Sequence, residues 1–138
     1  MQNSHKNKTF AALLGLMLGG AGAHRFYLQG MKDIPGWLHA VSVLLSAALL
    51  AQNPDRPLLI NTAPLVISVL AACIETFIIG LMSDEKWDAL YNAESGKTSD
   101  TGWPVALLMV MNLANGATLM LIALARSFDL ILTGGSYG

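Results

Sequence analysis

Two stretches decide what this chain can fold into. Ile34–Pro54 contains no Asp, Glu, Lys or Arg, and Leu58–Ser83 contains a single one, Glu75. A helix needs about 20 mostly apolar residues to cross the hydrocarbon of a bilayer, and both stretches have that length. A third run, Trp103–Ala125, ends at Arg126 and Asp129. Over the whole chain 12% of residues are charged and 54% are hydrophobic, whereas a soluble domain carries about 25% charged residues. Lipid is therefore the expected solvent, and in lipid a spanning backbone must satisfy its own polar groups. Helices are expected throughout.

The first apolar run is harder to read. Thr9–Ala23 is uncharged but short. Adding Phe26–Leu28 makes a span if Arg25 snorkels or is paired. A rival reading takes Lys6 and Lys8 as the n-region of a signal peptide and Ala21-Gly22-Ala23 as its cleavage site. Polar turns follow at Gln29–Asp33 and Gln52–Pro57. Pro35 suits a first helical turn, and Trp37 suits the membrane interface. Ser83 can cap a helix whose first turn holds Asp84 and Glu85. Trp87, Leu90 and Tyr91 then fall on one face, so a short amphipathic helix over Asp84–Ala93 is expected against the membrane or the bundle.

The fold expected is an all-α, integral-membrane four-helix bundle with one short interfacial helix. Residues 1–8 read as a mobile polar tail and 9–93 as a membrane domain of three spans plus the interfacial helix. A loop over 94–102, a fourth span over 103–126 and a tail over 127–138 complete the chain. Four spans put both termini on one face. Lys6, Lys8, Arg56 and Arg126 then oppose Arg25, Lys32, Lys86 and Lys97, a tie for the positive-inside rule. Cytoplasmic termini are favoured because the first span and its flanking lysines often dominate.

Lys8-Thr9-Phe10-Ala11-Ala12-Leu13-Leu14, followed by Gly19-x-x-Gly22-x-His24-Arg25-Phe26-Tyr27-Leu28, resembles the two-transmembrane-helix (TM-two) domain family, whose bacterial members are called NINE proteins. Glu75–Gly80 through Trp87, Tyr91 and Asn92 looks like that family's second-helix ending, more loosely. Gln29 stands where the family usually has glycine. The break at Gln52–Pro57 splits the second helix, and the span after Trp103 has no counterpart. The resemblance implies a bacterial cytoplasmic membrane and protein interactions. It implies no reaction and no catalytic residue.

Candidate sites follow from the residues themselves. Gly15, Gly19 and Ala23, with Gly22 beside them, form a small-residue seam for close helix contact, either inside the chain or with a partner. Arg25 and Glu75 each break an apolar run and lie toward the same face, so they are expected to pair, and His39 could join them. An acid inside a span is also an ion-site candidate. Asn112 and Asn115 form a polar patch midway along the last span, suited to helix-to-helix hydrogen bonds. No cofactor, metal site, nucleic-acid partner or catalytic grouping is expected. Cys73 is the only cysteine, which leaves no intrachain disulfide. The function expected is an interaction or assembly module that self-associates or binds a partner membrane protein. The alternative is a small channel or transporter using Glu75 and the asparagines.

Overall fold

The structure is a computed structural model and describes residues 5–137. Six α-helices follow one another: α1 (Lys8–Leu18), α2 (Ala23–Gln29), α3 (Ile34–Gln52), α4 (Leu58–Leu81), α5 (Asp84–Tyr91) and α6 (Pro104–Thr133), with a 3-10 turn at Gly19–Ala21 between the first two. No strand occurs among the described residues. Three helices are long and apolar enough to cross a membrane: α3, α4 and α6.

Local chemistry sets these boundaries. The Asn7 side chain accepts from the backbone N–H of Phe10 and starts α1. Asp33 does the same for Gly36, with Pro35 in the first turn of α3. Ser83 accepts from the N–H of Lys86 and opens α5, with Asp84 and Glu85 at the positive end of its dipole. Pro104 starts α6, and Gly134, at φ 70°, ends it. Inside α4, Pro64 disturbs the helical ladder. There the Leu65 N–H donates to the Ser46 hydroxyl on α3, at 3.1 Å.

The largest departure from expectation lies at the start. Thr9–Leu28 is no single span. A continuous helix at about 1.5 Å per residue would hold Asn7 and Tyr27 about 30 Å apart. Instead the Asn7 N–H donates to the Tyr27 hydroxyl at 2.8 Å, the Lys6 ammonium donates to the Tyr27 carbonyl at 2.8 Å, and the Phe10 and Tyr27 rings meet edge-on at 5.1 Å. The chain reverses at Gly19–Gly22, where Gly22 takes φ 78°. α1 and α2 are thus the two arms of a re-entrant hairpin whose tip packs against Ala72 and Val69 of α4, about 18 Å from the Leu81 end of that helix.

α3 and α4 run antiparallel, as do α4 and α6. Among the described residues three helices long enough to span replace the four expected, and the described ends of the chain lie at opposite ends of the bundle. Residues 5–8 sit with α5. The end of α6 sits with the turn after α3, where Asp55, Arg56, Arg126, Asp129 and Gly135 share a cleft. α6 also continues as helix past Ala125 to Thr133, carrying Arg126 and Asp129 along it.

The interior is more polar than the surface. Fully or nearly buried are Lys8, His24, Asp33, His39, Ser46, Asn61, Ser68, Thr76 and Asn112, while Leu38, Leu44, Ile67, Ile74, Val110 and Leu121 are exposed on the long helices. In water that distribution would be costly. Against hydrocarbon it is the expected one, because polar groups find partners only inside.

Candidate functional site

The polar interior converges on Glu75, about 9 Å inside the Leu81 end of α4. Arg25 bridges two carboxylates: its Nη1 donates to Glu75 Oε1 at 2.6 Å, and its Nε and Nη2 donate to Asp33 at 2.6 and 3.2 Å. His24 Nε2 lies 2.7 Å from Glu75 Oε2, and His39 Nε2 lies 3.3 Å from the same oxygen. Behind His39, its Nδ1 is 2.6 Å from the Ser68 hydroxyl, which donates to the Gly20 carbonyl at 2.8 Å. Six side chains from α2, the α2–α3 turn, α3 and α4 therefore lock the hairpin to the two spans beside it. A cleft of about 200 Å³ reaches Glu75 between α2, the end of α4 and Tyr91.

Asp33 is the charged member that the sequence hid. It reads as part of a polar turn, yet it both caps α3 and takes two bonds from Arg25. Its signal was its position just before Ile34-Pro35. His24 and Arg25 enter the cluster from the family motif, whereas Phe26 and Tyr27 do not. Phe26 stacks edge-on with Trp37, and Tyr27 holds the arms of the hairpin together.

The glycine seam is used inside the chain. A Cβ on Gly15 would collide with Thr76 Oγ1, one on Gly19 would lie 2.7 Å from the Ala72 Cβ, and one on Gly22 2.5 Å from the Gly36 carbonyl. Ala23, which follows them in α2, is half-buried. The two asparagines part company. Asn112 is buried and donates to the Cys73 carbonyl at 2.8 Å, while its Oδ1 has no partner. Asn115 is exposed and lines a groove of about 450 Å³ with Gly15, Gly19, Gly20, Cys73 and Thr118. No described cleft is lined by both Glu75 and an asparagine of α6.

A second polar layer closes the end of the bundle nearest Glu75. Residues 5–8 are docked rather than mobile; residues 1–4 of the expected tail lie outside the described part. The Trp87 indole and the Asn92 amide both donate to the Lys6 carbonyl, at 3.0 and 3.1 Å. The buried Lys8 ammonium meets Asp84 at 2.6 Å and the Met82 carbonyl at 2.7 Å. Burial raises Asp84, but hydrogen bonds from Lys8 and from the hydroxyl and N–H of Thr101 outweigh it and hold its carboxyl down at about 2. Donors on Asn92 and Ser99 hold Asp88 below its usual value. On α5, Trp87 is fully buried and Tyr91 half-buried, but Leu90 points outward, 59% exposed.

The family model of the TM2 domain matches residues 4–50. The resemblance carried by Lys8–Leu28 therefore holds, and it extends through α3. It stops before Glu75–Asn92, and α4 to α6 lie beyond the match. No curated protein and no solved structure matches the chain.

Proposed function

We propose that this TM2-domain protein is a non-catalytic assembly module of the cytoplasmic membrane of a bacterium, self-associating through the mid-membrane face of α6. One observation carries the reading: Asn115 is exposed near the middle of α6 and makes no hydrogen bond among the described residues. An amide facing hydrocarbon seeks a partner on another helix. A carboxamide carries both donor and acceptor, so two copies related by a two-fold axis can satisfy each other at this one position. Ala114, Thr118 and the glycines across the groove keep the approach open. The channel reading is weaker, since Glu75 is tied by Arg25.

The re-entrant hairpin also bears on orientation. Lys6, Lys8, Arg25, Lys32, Lys86 and Lys97 all lie toward the α5 end, and only Arg56 and Arg126 toward the other. The four-to-four tie disappears, and the positive-inside rule favours the α5 end in the cytoplasm with the end of α6 outside. Two experiments test the reading. Mass determination of the intact complex in mild detergent should find a dimer that Asn115→Leu converts to monomer without loss of thermal stability; a wild-type monomer overturns it. In a Cys73→Ala background, Ser136→Cys should react with an impermeant maleimide added to intact cells; protection until lysis overturns the orientation.

A further inference from the structure

Proton counting around Glu75 carries a further conclusion. The Gly20 carbonyl can only accept, so the single hydroxyl proton of Ser68 is committed to it at 2.8 Å. Ser68 must then accept from His39, which places a proton on His39 Nδ1, 2.6 Å away. A neutral imidazole has one N–H, so His39 Nε2 would present a bare lone pair to Glu75 Oε2 at 3.3 Å. Lone pair against carboxylate oxygen is repulsive. A second proton on His39 turns the contact into an attraction.

Charge points the same way. The groups that face this site are His24 and Arg25 from α2, Asp33 from the α2–α3 turn, His39 from α3 and Glu75 from α4. With both imidazoles neutral, one guanidinium opposes two carboxylates. One added proton makes the cluster electroneutral, the favoured state where the dielectric is low. His24 is the poorer holder. Its Nε2 faces Glu75, and its buried Nδ1 has no partner, so protonation would bury an orphan N–H. A neutral His24 with its proton on Nε2 leaves only an unused lone pair.

We propose that this cluster is a proton-binding site: His39, doubly protonated and held between Ser68 and Glu75, carries one proton that reaches it by way of Glu75, which lines the cleft beside Tyr91, and its release loosens the α1–α2 hairpin from α3 and α4. The site is independent of self-association through α6. The test is ring-15N histidine NMR on the full chain in nanodiscs, with His5→Gln removing the remaining histidine. At pH 7.5 one imidazole should show two protonated nitrogens and the other the neutral Nε2–H form. Raising the pH should remove one proton in one step, together with added hydrogen exchange in α1 and α2. His39→Gln should abolish the doubly protonated ring, whereas His24→Gln should leave it; either variant alone suffices for the assignment. Two neutral rings at pH 7.5, or a doubly protonated ring that survives His39→Gln, overturns the proposal.

Discussion

The α1–α2 hairpin and α6 are held in opposite ways. The hairpin is too short to cross a bilayer, yet it enters to the depth of Val69 on α4. It is retained by close backbone approach at three glycines and by bonds to Glu75, Asp33 and Ser68. α6 is 30 residues long; its most apolar 18-residue stretch has a mean hydropathy of 1.9 and is 11% buried. It is retained by lipid, by Met109 filling the notch at Gly80, and by one bond from Asn112. Polar groups therefore anchor the segment that lipid cannot hold, and are sparse where lipid suffices. Each substitution below asks whether that division is real.

The largest effect is expected at Arg25. Arg25→Gln leaves Asp33 and Glu75 without their common cation, a loss somewhat below the about 3–5 kcal/mol of a fully buried pair, because Arg25 and Glu75 stay partly exposed. Glu75→Gln should cost clearly less, because Arg25 and Asp33 still balance. The double variant should regain part of the Arg25→Gln loss, measured by thermal unfolding in detergent. Equal losses for the two single variants would mean that Asp33 contributes little to the anchor. Next comes Gly19→Leu, whose Cβ alone would sit 2.7 Å from that of Ala72. Overpacking costs about 1–3 kcal/mol, and here it should appear as proteolysis of the α1–α2 segment while α6 stays protected. Unchanged protection of the hairpin would break the contrast.

Much of this was legible beforehand. α3 and α4 follow from the scarcity of charge, and the Arg25–Glu75 contact follows from two lone charges near one face. The reversal at Gly22 was not legible, because Thr9–Leu28 satisfies the length of a span. What rules the span out is tertiary: a left-handed glycine packed against the carbonyl of Gly36. Arg25 near the end of that run was the available clue, since a hairpin puts it beside α4 rather than in lipid. Lys8 and Asp84 meet across 76 positions of sequence, and nothing local announces such a pairing.

The Lys8–Asp84 clamp offers a milder test. Asp84 titrates at about 2 in the fold, below its usual 3.8. The clamp's contribution is therefore complete above pH 4 and disappears as pH falls through 2. Asp88 shifts in the same direction. Trp87 fluorescence should report its release from Lys6 over that acid range, and Asp84→Asn should move the release to higher pH. A release profile unaltered by Asp84→Asn would assign the end layer to Trp87 packing instead.

The smallest effect is expected at Asn112, although it is one of the most completely buried side chains in the protein. Its amide gives one bond to the Cys73 carbonyl, and its Oδ1 receives nothing. Hydrogen bonds between membrane helices average about 0.6 kcal/mol, because the separated helices find other partners. Asn112→Leu removes that bond but also the unsatisfied oxygen, and leucine fits the space to within about a methyl group. The two changes offset, so thermal stability in detergent should shift by less than about 1 kcal/mol. A loss as large as that of Arg25→Gln would show that α6 too depends on a buried polar anchor, and the contrast between the hairpin and α6 would fail.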